Sequence, residues 1–242
     1  MILAIDAGNS RIKWGLHNDI DWIASGRAGD VAELATAWAA LPAPERIMIV
    51  NVAGERVRAG LLGAVARWRV PPTWVNSSIL AFGVRNSYEN PGQLGADRWA
   101  ALIGARHRLR DACLVVNAGT ALTIDALSDD GVFIGGIIVP GYTLMRQALA
   151  VNTAALALQS GEFAHFPLNT GDAIASGAVQ AMAGAVQQMA QEASIVWGRK
   201  PVCILSGGDA ATLRPHLNLK LKLVDNLVLE GLLVLGRTPV SP

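Results

Sequence analysis

Apolar residues along this chain come in short blocks parted by turn residues, a spacing that predicts strands alternating with helices. Residues 2–6, 11–17 and 20–27 read as three strands of a meander, broken at Gly8-Asn9 and at His17-Asn18-Asp19. Ala-rich spacing over 30–40 predicts a helix that Pro42 and Pro44 stop. A strand over 46–51, a helix over 54–68, a strand near 73–75 and a helix over 98–109 complete the first half. The second half repeats the scheme, with strands over 113–117, 121–127 and 132–138 and a helix over 141–150. A long helix over 171–196 follows, where Ile174, Ala178, Met182, Val186 and Met189 fall at helical spacing. A strand over 202–205, a turn at Gly207-Gly208, a short helix and a Leu/Val-rich helix over 225–236 end the chain. Three meandering strands and then alternating helices and strands, given twice, predict an α/β chain of two similar lobes, 1–112 and 113–242.

Within that repeat, two passages align residue for residue. Asp6-Ala7-Gly8-Asn9 in the first half matches Asn117-Ala118-Gly119-Thr120 in the second. Glycine at such a bend leaves room for a sharp turn and for close approach of a bulky anion. Backbone N–H groups and the Asn or Thr side chain then offer donors to phosphate oxygens. A carboxylate such as Asp6 would repel phosphate directly, so it makes sense there beside Mg²⁺. Two such hairpins suggest a nucleoside triphosphate as ligand.

Composition narrows the class. The chain has 242 residues, 52% of them hydrophobic, with a mean hydropathy of +0.35. No uninterrupted apolar run reaches the ~18 residues of a membrane span, so the excess apolar content implies deep burial and a subunit interface. Twenty basic and 19 acidic residues leave a formal charge of +1, with no basic stripe for nucleic acid. Cys113 and Cys203 sit singly in apolar segments, and Met1 leads straight into strand-like sequence without a secretory leader. A cytoplasmic location is expected. His17, His107, His165 and His216 lack metal-ligand spacing, so structural or surface roles are expected for all four.

The motifs in order are Asp6-Ala-Gly-Asn-Ser-Arg-Ile-Lys13, Tyr88-Glu-Asn-Pro91, Gly95-Ala-Asp97-Arg98, Gly119-Thr120-Ala121, Gly135-Gly136 through Pro140-Gly141, Asn169-Thr170 and Ser206-Gly207-Gly208-Asp209. Together they resemble type III pantothenate kinase, a family of the actin, hexokinase and Hsp70 superfamily whose members begin coenzyme A biosynthesis. The resemblance implies two RNase H-like lobes with mixed β-sheets flanked by helices, ATP with Mg²⁺, pantothenate as acceptor, and a homodimer. The family also includes proteins first described as accessory factors for virulence gene expression, so a catalytically weak regulatory protein is one alternative. A kinase of the same superfamily acting on a sugar or small alcohol is another.

On this resemblance, Asp97 is the general base that takes the proton of pantothenate's primary alcohol, although its place before a helix also suits an N-cap. Asp6 partners Mg²⁺ through water. Gly8, Asn9, Ser10, Lys13, Gly119 and Thr120 meet the phosphates, and Gly207 with Gly208 forms the adenosine loop. Gly95, Ala96, Asp97 and Arg98 line the pantothenate site with Tyr88, and Thr170 reaches it across the dimer. The bland readings are a turn-satisfying Asp6, a solvent-exposed Lys13, a partly buried Tyr88, an Arg98 ion-paired with Glu89 or Asp111, and an Asn169-Thr170 helix cap. One departure stands out. The family's second phosphate motif begins with Asp, associated with a K⁺ or NH₄⁺ ion, whereas this chain has Asn117. A weak or lost monovalent-cation site is expected, with Asp125 on the same hairpin as a compensating carboxylate.

Overall fold

The computed structural model describes residues 1–152 and 160–237, which form two compact α/β units. In the first, β1 (Ile2–Ala7), β2 (Ile12–His17) and β3 (Trp22–Ala28) form the antiparallel meander. After α1 (Ala32–Ala37), β4 (Arg46–Asn51) pairs parallel to β1, and after α2 (Glu55–Val65), β5 (Pro72–Trp74) pairs parallel to β4. The sheet order is β3-β2-β1-β4-β5. All six residues of β1 are buried, as a central strand covered on both faces requires. One face packs Leu3, Ile5, Leu16, Ile47 and Ile49 with Leu34, Leu61 and the edge-to-face pair Trp14 and Trp38. A small hairpin, β6 (Leu80–Ala81) with β7 (Val84–Asn86), precedes α3 (Ala96–Arg108).

The second unit repeats this plan. Strands β8 (Cys113–Ala118), β9 (Ala121–Leu127) and β10 (Val132–Pro140) form its meander. Helices α4 (Tyr142–Asn152) and α5 (Thr170–Trp197) follow, then β11 (Val202–Ser206), α6 (Ala210–Leu213) and β12 (Lys220–Leu223). The order β10-β9-β8-β11-β12 reproduces that of the first unit strand for strand, with β11 parallel to both β8 and β12. Leu114, Val116, Leu122 and Ile124 alternate onto one sheet face and meet Met182, Val186 and Ala190 of α5. Asn169 caps α5, its side-chain oxygen accepting the Asp172 N–H at 2.9 Å, so the expected cap is present. Among the described residues, no helix is long and apolar enough to cross a membrane.

The end of the chain corrects the expected lobe boundary. Residues 226–237 belong to the first unit, and the second spans Asp111–Asp225. The last helix, α7 (Leu227–Arg237), lies on α3 at a crossing made by two glycines. A Cβ on Gly104 would come within 2.7 Å of the Leu227 carbonyl oxygen, and one on Gly231 within 1.8 Å of the Ala100 oxygen. Backbone-to-backbone packing of this kind holds the helix more closely than Leu or Val side chains allow.

Candidate active site

Two strand-pair registers bring the first group of side chains together. Asp6 stands opposite Lys13 across β1 and β2, so the two share a sheet face near the hairpin. Lys13 is half-buried rather than freely solvated. Asp6 is 7% exposed, and burial pushes its carboxyl up from 3.8 to about 6. Lys13 opposes that rise, while the negative charge of Asp97 adds to it. Asp6 and Asp97, about ninety positions apart in sequence, therefore act on each other electrostatically. A buried carboxylate short of positive charge fits a divalent cation. One carboxylate with water suffices for Mg²⁺, and no cluster of three or more metal-binding side chains occurs among the described residues.

Asp97 is not an N-cap. The helix begins one residue before it, with Gly95 in the cap position, and Asp97 sits in the first turn. Its Oδ1 accepts the Arg98 backbone N–H at 2.8 Å, which fixes the carboxylate near the positive end of the helix. Arg98 is 5% exposed, and its guanidinium donates to the Tyr88 hydroxyl at 3.0 Å. The surface-pair reading of Arg98 fails on that burial, and Asp111 is instead bound to Arg199 at 2.6 Å. Tyr88 is positioned in turn by its backbone N–H, which donates to Asn86 Oδ1 at 3.1 Å. Tyr88, Gly95, Ala96, Asp97 and Arg98 thus converge where α3 starts, a buried cation and a phenol beside a carboxylate.

The glycines of the paired hairpins behave differently from the expectation. Gly8 and Gly119 both keep ordinary backbone angles, and a Cβ would meet Arg11 O at 3.4 Å in one and Ala121 O at 3.7 Å in the other. The turns do not require glycine, so the missing side chain matters for approach from outside. Their own N–H groups are used internally, Gly8 to Arg11 O at 3.2 Å and Gly119 to Ala121 O at 3.1 Å. Donors for a ligand must then come from neighbours, Asn9 and Ser10 in one hairpin and Thr120 in the other, all exposed. Gly207 does need to be glycine. Its φ is +105°, and a Cβ would lie 2.2 Å from the Ala118 carbonyl oxygen, so this loop is folded directly onto the second hairpin. Gly208 beside it has open space around its Cα.

Asn117 is half-buried on β8, opposite Thr123 of β9 and alongside Ser206 of β11. Asp125 lies two positions beyond Thr123 on β9, hence on the same sheet face as Asn117, and is 1% exposed. The conditional role of Asp125 thus has the inward orientation it needs. Thr170 begins α5 beside an apolar cavity of about 870 Å³ in the second unit, walled by Met145, Leu149, Leu168 and Ile174. Leu168 is 99% exposed and Phe166 is exposed too, although both are large and apolar.

The family model of type III pantothenate kinase matches residues 2–192. This chain belongs to that family. A type III pantothenate kinase from Nitrosospira multiformis is 48% identical over 239 residues, covering 98% of this chain and 91% of that protein. One from Aromatoleum aromaticum is 49% identical over 239 residues, covering 98% of each. In fold, the chain is similar to a glucokinase from an Antarctic psychrotroph, with a TM-score of 0.52 at 11% identity, covering 97% of this chain and 98% of that one. The two-unit α/β fold is thus one that this chain shares with a glucokinase.

Proposed function

We propose that this protein transfers the γ-phosphoryl group of ATP to the primary alcohol of pantothenate, giving 4'-phosphopantothenate, with Asp97 as general base. Family membership supports the reaction, the first step of coenzyme A biosynthesis. The observation that carries the residue roles is the grouping of Asp97 with the Arg98–Tyr88 hydrogen bond, in electrostatic reach of Asp6. Arg98 holds the pantothenate carboxylate or an amide oxygen by charge-assisted bonds, and the Tyr88 ring covers the apolar part. Gly95 and Ala96 lead the chain past the same group without bulk. Asp97 accepts the alcohol proton as that oxygen attacks phosphorus.

Asp6 would hold Mg²⁺ through water, and the bound ion supplies charge neutralisation to the phosphates. Lys13, Gly8, Asn9 and Ser10 are assigned to the phosphates, as are Gly119 and Thr120, with Gly207 and Gly208 beside the adenosine. Thr170 and the exposed Phe166 and Leu168 support a homodimer in which this apolar surface is shared and Thr170 reaches the partner's pantothenate. A cytoplasmic setting goes with soluble substrates of this kind.

The test is ADP release in a coupled assay, with pantothenate beside a panel of sugars, for wild type and Asp97→Asn. Turnover confined to pantothenate and lowered roughly 10²-fold or more in the variant, with a cooperative melt kept, is the expected outcome. Near wild-type turnover in Asp97→Asn removes Asp97 from the chemistry, and phosphorylation of a sugar in preference to pantothenate overturns the substrate. Sedimentation that finds an active monomer at assay concentration overturns the dimer.

A further inference from the structure

The turn between β2 and β3, the last turn of α3 and one face of α7 enclose a cavity of about 290 Å³ within the first unit. It is remote from the catalytic group. Asp97 lies in the first turn of α3, whereas Arg108, which lines the cavity, ends that helix. Eleven residues of helix separate them, about 16 Å along the axis.

His17 gives this cavity its character. The ring is 5% exposed and lines the space. Its Nδ1 accepts the backbone N–H of Asp19 at 2.9 Å, so the neutral ring carries its proton on Nε2. Burial first, and then Arg237, lower the imidazole pKa from its ordinary value, which keeps the ring neutral at pH 7. Beyond that bond, His17 makes only an edge contact with the Trp22 ring among the described residues. With no acceptor among the described residues and without being sealed from solvent, the Nε2–H is a donor open to water or a ligand at this cavity.

The charges around it are balanced and partly unengaged. Glu230 is taken, accepting from Arg108 at 2.9 Å and from Trp22 Nε1 at 3.4 Å. Arg237 has one long bond, 3.4 Å to the Asp19 carbonyl oxygen, which leaves most of its fork available. The Asp21 carboxylate makes no ion pair among the described residues. Ile20, Leu233 and Val234 supply the apolar wall. A simple anion would meet Arg237 and His17 but be repelled by Asp21, and a simple cation would suffer the reverse. A molecule bearing both charges satisfies all three groups.

We infer that this cavity binds a small zwitterion of the amino-acid type. Its carboxylate is held by His17 Nε2–H and Arg237, its ammonium by Asp21, and its short aliphatic side chain rests on Ile20 and Leu233. The volume suits a molecule of that size and is too small for a nucleotide. His17 escaped sequence reading because its neighbours on α7 lie more than two hundred residues away.

The experiment is an NMR titration of the full-length protein with L-valine, following the His17 ring nitrogens and protons. Acetate and methylammonium serve as the two half-ligands, and the exposed His165 ring is the control. Expected are a saturable His17 shift with L-valine, a still His165, and no saturation by either half-ligand at the same concentrations. Arg237→Gln and Asp21→Asn, both at exposed positions and outside the catalytic group, should each bind L-valine about tenfold or more weakly, the scale of one charge-assisted bond. Acetate that saturates as tightly as L-valine makes this an anion site and overturns the zwitterion. No saturable shift with L-valine leaves water as the partner of His17, and undiminished binding in both variants removes the assigned contacts; each outcome defeats the inference.

Discussion

The β1–β2 and β8–β9 hairpins have the same Ala-Gly turn and equivalent places in two sheets of the same strand order, yet their charges differ. The first begins with a buried Asp6 facing Lys13, and the second with a half-buried Asn117 facing Thr123. Duplicated backbone thus places a carboxylate before the turn once and a neutral amide there the second time. Burial makes the distinction costly. Asp6 is held at a pKa of about 6 against 3.8, so its negative charge is disfavoured in the folded chain until a cation arrives. Nothing of that kind acts on an amide. Under the proposed roles, the first hairpin suits metal and phosphate and the second suits phosphate alone.

Making the first hairpin like the second is the strongest way to test this. Asp6→Asn should lower turnover about 10²-fold or more, because the lost carboxylate is the proposed Mg²⁺ partner and metal charge stabilisation is worth several kcal/mol. The same substitution should stabilise the metal-free protein. A raised acid pKa means that the ionised form is the penalised one. The penalty is absent below the unfolded value of 3.8, grows between there and about 6, and is complete above 6. Its full size is about 3 kcal/mol, an order of magnitude from roughly two pKa units. Melting curves without Mg²⁺ should place the variant above wild type at pH 7.5 and bring the two together near pH 4. A variant that melts lower at pH 7.5 would mean Asp6 is stabilised by contacts rather than strained by burial.

In its proposed role, Asp6 also ties metal binding to protons. Below about pH 6 its carboxyl is protonated, and a proton must leave before the ion binds. Apparent Mg²⁺ affinity should therefore fall about tenfold per pH unit below that point and level off above it. Titration calorimetry in buffers of different ionisation enthalpy would detect the released proton. Affinity that stays flat from pH 5 to 8 would place the ion elsewhere.

Much of this was legible in the sequence because period-two burial and turn residues mark strands well. The two meanders, α5 and the matching hairpins follow from apolar spacing alone. The β6–β7 hairpin did not, since its turn uses Phe82 and Gly83 at positive φ, 51° and 75°, and an aromatic residue there gives no turn signal. Edge strand β12, Lys-Leu-Lys-Leu, alternates as a strand should but is short and mostly exposed. The place of α7 depends on which glycines meet, Gly104 with Gly231, and spacing cannot show that pairing. Within the site, Asp97, Arg98 and Tyr88 were legible as residues, but their geometry was not. Asp97 lies within the first turn, accepting the Arg98 N–H, rather than at the cap, and burial rather than a surface position defines Arg98.

The smallest expected effect belongs to Asn117. Replacing this amide with a carboxylate gives the second hairpin an acid before its turn like the first. At an effective dielectric of ~20, a unit charge ~4 Å from a cation contributes about 4 kcal/mol before desolvation. Two facts reduce that figure here. Asn117 is only half-buried, so water screens part of the attraction. Asp125 already provides a buried carboxyl on the same sheet face, about 7–8 Å away by diagonal cross-strand spacing. A second acid so near would raise the cost of ionising both. Wild type should accordingly show weak dependence on K⁺, and Asn117→Asp should lower the K⁺ concentration for half-activation by only several-fold. The measurement is ADP release against K⁺ at constant ionic strength, with a bulky organic cation in exchange. A steep rise from almost no activity in wild type would show that Asn117 and Asp125 together form a working cation site, and the two hairpins would then be alike in charge after all.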